Sequence, residues 1–197
     1  MIKTVILDFD DTLVLTEEIC FNLENDVLKE MGRPKMSREI HLKTWGQPLF
    51  EIISIRSEGI NLEEFKKVYA EILNRYIVDG LYDAIPEENF ETLRQIEKEG
   101  WSLAILTSRT YGEVKHILSE EHLLSRLIKD FYHKDSSDYH KPDPRVFDHI
   151  IAKNNLKPQE CVYVGDSPND AKAALGAKIN FIASLESGLK KNQSLMS

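Results

Sequence analysis

The run Val5-Ile6-Leu7-Asp8-Phe9-Asp10-Asp11-Thr12-Leu13 constrains this chain more than any other stretch, because an apolar segment breaks abruptly into acids. A short, nearly all-apolar run reads as a parallel strand covered on both faces. Its carboxyl end then opens onto a site. Alternation along an extended chain points Asp8 and Asp10 to the same side. Two unit charges about 4 Å apart repel by roughly 1 kcal/mol in water and by about 4 kcal/mol at an effective dielectric near 20, a cost that a cation removes. The same acids also suit a turn that caps a following helix, so this stretch alone leaves both readings open.

Downstream, Ile19, Leu23 and Val27 recur at four-residue spacing and predict an amphipathic helix over residues 16–31, closed by Gly32. Between Met36 and Ile60 a short helix breaks at Gly46-Gln47-Pro48, ahead of the apolar Phe50, Ile52, Ile53 and Ile55. Leu62, Phe65, Val68, Tyr69, Ile72, Leu73 and Tyr76 mark one face of a long helix that ends near Gly80. Residues 15–80 therefore read as wholly helical. From Pro86 the pattern alternates instead. Helices carry Phe90, Leu93 and Ile96, then Val114, Ile117 and Leu118, then Val146, Phe147, Ile150 and Ile151, then residues 168–175. Strands fall between them at 103–106, 128–132, 162–164 and 179–183. Strand-helix alternation implies a parallel sheet with right-handed crossovers. The expected architecture is α/β, a three-layer Rossmann-like core of residues 1–14 and 81–197, with a small all-α domain of residues 15–80 inserted after the first strand. The polar tail from Ser184 is expected to be loosely ordered.

A chain of 197 residues with a net charge of −8 and no basic block is a poor partner for nucleic acid or an anionic membrane. Small phosphorylated ligands need only local positive charge and remain open. Cys20 and Cys161 match no metal spacing and lie far apart, which predicts thiols in a reducing compartment. Neither a signal-peptide pattern nor a membrane-length apolar run is present, so the expected location is the cytoplasm.

Further reactive residue types sit at the predicted strand ends. Thr107-Ser108 follows the second strand and precedes Thr110-x-x-Glu113, a capping-box pattern, so hydroxyls and backbone N–H groups form an anion seat. Lys141 stands between His140 and Pro142, which biases it to an extended backbone, and Asp143-Pro144 starts the next helix. At the fourth strand, Gly165-Asp166 precedes Ser167-Pro168-Asn169-Asp170, where Ser167-x-x-Asp170 also reads as a helix cap. Gly165 removes bulk where Asp166 turns toward a neighbouring strand end. Acids, a threonine and a lysine at four such ends suit phosphoryl transfer: a carboxylate nucleophile, an acid/base, a hard cation and a charge-offsetting lysine.

In that order, Asp8-x-Asp10-x-Thr12, Thr107, Lys141-Pro142 and Gly165-Asp166-x-x-x-Asp170 resemble the four motifs of the haloacid dehalogenase-like superfamily, specifically its phosphoglycolate phosphatase and beta-phosphoglucomutase subgroup. The resemblance spans residues 2–183. It implies that Asp8 is the nucleophile that becomes an aspartyl phosphate and that Asp10 is the general acid/base. It further implies magnesium held by Asp8, the Asp10 carbonyl and Asp166, supported by Asp170. Thr107 and Ser108 then seat the phosphate, and Lys141 bridges phosphate and nucleophile. Asp11 departs from the pattern, since many relatives have glycine there. The acid at Asp10 favours phosphoester chemistry, because relatives that cleave carbon–halogen or carbon–phosphorus bonds lack it.

The helical insertion resembles the family's cap, with Trp45, Gly46, Gln47 and Arg56 as expected substrate contacts. A magnesium-dependent phosphatase acting on a small cytoplasmic phosphometabolite follows, such as phosphoglycolate, a sugar phosphate, a nucleotide or pyrophosphate. It is expected as a monomer or weak homodimer. The alternatives are a phosphomutase of the beta-phosphoglucomutase type, which shares every core residue, and a non-enzymatic phospho-accepting receiver, whose phosphoacceptor would lie on a middle strand without so large an insertion.

Overall fold

The computed structural model of the chain describes residues 1–45, 47, 49–119 and 122–185. By its internal contacts the chain divides into two compact units, Met1–Val14 with Ile85–Ser197 and Leu15–Ala84. Among the described residues no helix is long and apolar enough to cross a membrane.

The first unit is built on five parallel strands flanked by helices. These are β1 (Thr4–Leu7), β2 (Ser102–Leu106), β3 (Asp130–Tyr132), β4 (Cys161–Gly165) and β5 (Asn180–Ala183), in the order β3-β2-β1-β4-β5. All four residues of β1 are buried, as a central strand covered on both faces requires. Leu7 pairs with Ile105 on one side and with Val164 on the other. The chain therefore leaves β1, β2 and β4 at one edge, and strand order reverses about β1, where open parallel sheets gather ligands.

Helices α5 (Glu87–Lys98), α6 (Tyr111–Val114), α7 (Asp148–Lys153) and α8 (Pro168–Gly176) belong to this unit. Ile6, Leu106 and Tyr163 from the sheet pack with Phe147, Ile150 and Ala174 in one buried cluster. Two elements differ from expectation. The helix expected to carry Val114 to Leu118 is a single α turn, and the Pro144 segment starts as a 3-10 turn, Pro144–Phe147, before α7. At Gly176 an added Cβ would lie 3.1 Å from Pro144 Cβ, so small residues let these segments approach closely.

The second unit holds α1 (Thr16–Glu30), α2 (Arg38–Thr44), α3 (Leu49–Arg56) and α4 (Leu62–Val78). Leu23, Val27, Ile53, Phe65 and Ile72 form its core. A second buried cluster is ionic. His41 Nδ1 lies 2.6 Å from Glu17 Oε1, and Arg56 Nη1 donates to both oxygens of Glu24 at 2.6 and 2.5 Å. Charges removed from water persist only when paired in this way. Of the tail expected from Ser184, residues 186–197 lie outside the described residues.

Candidate active site

Lys141 is the hub of the sheet's carboxyl edge. Its Nζ lies 2.8 Å from Asp8 Oδ1, 2.7 Å from Asp170 Oδ1 and 3.0 Å from the Tyr163 hydroxyl. The ammonium's three donors therefore have three oxygens. Its side chain is 7% exposed. Burial works against the charge, but Asp8 and Asp170 outweigh it and hold the lysine pKa above its ordinary value.

Asp8 follows β1 directly, and its N–H donates to Val164 O at 2.8 Å, closing the ladder with β4 where the carboxylate begins. Asp8 Oδ1 also accepts the Phe9 N–H at 2.8 Å. Burial pushes the Asp8 carboxyl up, with the like charges of Asp170 and Asp10 adding to it, against the pull of Lys141.

Asp170 serves two purposes from the first turn of α8. Its Oδ2 accepts from Ser167 N at 3.0 Å and Oγ at 2.5 Å, while Asp170 N donates back to Ser167 Oγ at 3.2 Å. That is the capping box read from Ser167-x-x-Asp170. Its Oδ1 meanwhile receives Lys141 and the Tyr163 hydroxyl, the latter at 2.8 Å. Cap and site residue are one. Gly165 makes room for this acid rather than for Asp166, because a Cβ on Gly165 would stand 2.7 Å from both Cβ and Cγ of Asp170.

One carboxylate oxygen each from Asp8, Asp166 and Asp170 lies within 4.8 Å of the others. The Asp166 carboxyl is pushed up to about 7, first by burial and then by Asp11 and Asp170. Three acids against one lysine leave negative charge uncompensated, and an all-oxygen carboxylate set suits a hard divalent cation such as magnesium. The residues fit the metal. Both oxygens of Asp170 already accept hydrogen bonds, so Asp8 and Asp166 are the better direct ligands. Asp11 is 3% exposed and adopts φ +54°. That left-handed backbone favours glycine and tolerates Asp, which accounts for the departure from the family pattern at this position.

The Asp10 carboxylate stands apart from this cluster. β1 ends at Leu7, so the period-two rule does not extend to Asp10, whose carboxylate faces Arg109 instead. Arg109 Nη2 lies 2.6 Å from Asp10 Oδ1, and Nε lies 3.1 Å from each oxygen. Thr107 is 3% exposed, its N–H donates to Tyr132 O at 3.0 Å and its Oγ1 accepts from Arg109 N at 3.2 Å. Ser108 is exposed. Glu113 Oε2 accepts from Thr110 N at 2.7 Å and from Thr110 Oγ1 at 2.6 Å, one direction of the expected box. A cavity of about 230 Å3 adjoins this turn, and Ser108, His133, Lys134 and Lys141 contribute to a wall without any acid.

Two residues of the site escaped sequence reasoning. Tyr163 reads as one more apolar position of β4, and nothing in the pattern separates it from core. Arg109 had a signal, a cation next to a phosphate-seat pattern. Of the residues expected to touch substrate from the helical unit, Trp45 ends α2 with its ring 5.3 Å from the His41 ring, and Gln47 is exposed. Gly46 lies outside the described residues. Arg56 departs from expectation: it is 6% exposed, paired with Glu24, and its Nε donates to Thr44 Oγ1 at 2.9 Å. Its guanidinium is committed inside the helical unit because a buried charge needs a partner.

Comparison with known proteins bears on the chemistry. The family described as haloacid dehalogenase-like hydrolase matches residues 5–184. A phosphoglycolate phosphatase of Aliivibrio fischeri is 25% identical over 185 residues, covering 89% of this chain and 81% of that protein. A pyrophosphatase, PpaX, of Bacillus mycoides is 25% identical over 188 residues, covering 92% and 83%. Among solved structures, one of a putative beta-phosphoglucomutase from Thermotoga maritima superposes with a TM-score of 0.77 at 24% identity, covering 99% of this chain and 90% of that one.

Proposed function

Because this chain belongs to the haloacid dehalogenase-like hydrolase family, we propose that it is a magnesium-dependent phosphatase that hydrolyses a small phosphorylated metabolite through a phosphoryl-Asp8 intermediate. The observation that carries this reading is Lys141 held between Asp8 and Asp170, beside the three clustered carboxylates. Relatives named for phosphoglycolate and pyrophosphate support small phosphate compounds as the substrate class.

In the first half-reaction an Asp8 oxygen bonds to phosphorus while the bond from phosphorus to the substrate oxygen breaks. Asp10 gives its proton to that leaving oxygen. In the second, Asp10 takes a proton from water, the water oxygen bonds to phosphorus, and the Asp8–phosphorus bond breaks to release phosphate and the original carboxylate. Thr107 and Ser108 hold phosphate oxygens, and Lys141 offsets charge on both phosphate and nucleophile. Magnesium, held by Asp8, the Asp10 carbonyl and Asp166 with Asp170 behind them, supplies the positive charge that lets a carboxylate approach a phosphate dianion. Residues 15–80 take the role of cap, selecting the leaving group.

The test is phosphate release from a panel of phosphoesters and pyrophosphate with magnesium, with Asp8→Asn as the blank. Turnover should fall by about 10⁴-fold or more in Asp8→Asn, with the melting curve retained. Full activity in that variant sinks the nucleophile assignment, and isomerisation of a sugar phosphate without phosphate release replaces the hydrolase reading with a mutase.

A further inference from the structure

The cavity of about 230 Å3 beside the Thr107–Ser108 turn has no part in the chemistry above. At roughly 30 Å3 per water it has the volume of about seven waters, ample for a small oxyanion. Neither Asp8 nor the other clustered carboxylates contribute to its wall, so an occupant does not face the nucleophile. Lys141 does line it, but the three donors of that ammonium already serve Asp8, Asp170 and Tyr163. Its charge reaches the cavity, and its hydrogen bonds do not. The rest of the wall is rich in other donors. Tyr132 Oη is buried and, among the described residues, has no hydrogen-bond partner. Burial, with Asp130 next and Lys153 opposing, pushes its phenol pKa up, so the hydroxyl keeps its proton. A buried donor left unmet is costly and calls for a partner. The hydroxyls of Ser136 and Ser137 accept from His133 N at 3.0 Å and Tyr139 N at 3.1 Å, which leaves each O–H to donate elsewhere. Lys134 and His149 add cationic and imidazole groups. Asp135 and Asp138, acids of the same loop, stay outside the wall, and Asp135 Oδ2 takes the Tyr111 N–H at 2.7 Å. In a chain of net charge −8, a concave wall of cations and hydroxyls selects an anion.

We propose that this cavity is a second oxyanion site, separate from the catalytic seat, which takes inorganic phosphate released by the reaction and slows the enzyme. Tyr132, Ser136 and Ser137 donate to its oxygens, while Lys134 and Lys141 offset its charge. Because the cavity shares Thr107, Ser108 and Lys141 with the catalytic seat, a phosphate held there repels the phosphate of the substrate and draws on the same lysine's charge. Product inhibition is then mixed, raising KM and lowering kcat, instead of purely competitive. The inhibition rests on the phosphatase reading; the binding does not.

Calorimetry of inorganic phosphate into the magnesium-loaded protein, at fixed ionic strength, tests the binding. Wild-type protein should take two phosphates per chain. In Tyr132→Phe one of the two should weaken about tenfold or more. The melting temperature of that variant without phosphate should hold or rise, because the lost hydroxyl has no partner in the protein. Lys134→Gln combined with His149→Gln, both at exposed residues, should weaken the same phosphate. In steady-state assays the phosphate-free kcat and KM of these variants should stay within about twofold of wild type, while inhibition by phosphate turns from mixed to competitive.

One phosphate per chain in wild-type protein, or two that both variants bind as tightly, would overturn the site and leave the phosphatase reading standing. If Tyr132→Phe melts early, the Lys134 and His149 variant decides alone. Two phosphates with purely competitive inhibition would overturn the feedback role. Protein that binds the Tyr132-dependent phosphate yet turns over no phosphoester would remove the phosphatase reading and uphold the site.

Discussion

A methyl group on Gly165 would stand 2.7 Å from Asp170 Cβ, so the last residue of β4 and the acid in the first turn of α8 share space that only a glycine leaves open. Neither neighbour can give way cheaply. Asp170 is fully buried and fixed by Ser167, Tyr163 and Lys141. Gly165→Ala should therefore cost about 1–3 kcal/mol, the usual range for overpacking, and lower the melting temperature by about 2–10 °C. It should also reduce kcat, because the displaced Asp170 carries Lys141 with it. Thermal melts and steady-state rates on the same preparation check this, and an Ala variant with wild-type kcat would contradict it.

Tyr163→Phe isolates one hydroxyl. That oxygen accepts from Lys141 at 3.0 Å and donates to Asp170 Oδ1 at 2.8 Å. Burial, with the charges of Asp8 and Asp170 next, pushes the phenol pKa well above its ordinary value, so the group stays protonated and able to donate. The ring remains in the core in the variant. The expected loss is about 1–3 kcal/mol of stability from an under-satisfied buried carboxylate, with kcat down roughly tenfold as Lys141 loses one of three anchors. Denaturant melts and phosphate release measure both. A neutral result would demote Tyr163 to packing alone.

Cation binding should be visible without turnover. A ligand that binds only the folded state stabilises it by about 2.7 kcal/mol at a hundredfold excess over Kd. Magnesium chloride should raise the melting temperature of the wild-type protein, EDTA should reverse the rise, and Asp166→Asn should abolish it. Ligation requires carboxylates, and burial pushes Asp166 up to about 7. Binding therefore expels protons. The magnesium-induced shift should grow as pH rises from about 6 to about 8; a shift that shrinks over that range would contradict the carboxylate site.

The helical unit should lose stability on the alkaline side. His41 is fully buried. Desolvation opposes its charge, but Glu17 at 2.6 Å and Glu24 at 3.6 Å outweigh both that and the repulsion from Arg56, raising its pKa above the ordinary value. A raised histidine contributes stability that is fully present below the unfolded pKa of about 6.5 and is lost as pH climbs through the folded value. Melting temperature should fall between about pH 6.5 and the folded-state pKa, and His41→Gln should flatten that segment of the profile. An NMR titration showing His41 neutral at pH 6 would refute the account.

Local pattern made much of this molecule legible. The apolar run ahead of Asp8, the alternation from residue 86 onward and the four-residue spacing of residues 16–31 each report burial directly, and burial on one face or two dictates strand or helix. The single-turn α6 was over-read because Val114, Ile117 and Leu118 fit a helical period, yet beyond Val114 the chain runs in turns, where Ile117 is buried and Leu118 half-buried. Arg56 was misread for a related reason. It was expected to touch substrate, but its partner Glu24 lies 32 residues away, and no local pattern shows that pairing.

The sequence by itself determined which residue types stand at the strand ends and in what order, since spacing, caps and hydrophobic period are properties of a chain read one segment at a time. Tertiary structure decided which of those residues meet. Packing β1 between β2 and β4 brings Asp8 to Lys141, 133 positions on, and gives Asp170 a second duty beyond capping its helix. It also sets Asp10 against Arg109 rather than beside Asp8. Side-chain partners across such separations follow from strand order and register, and from the cost of burying an unpaired charge, and none of these appears in a linear pattern.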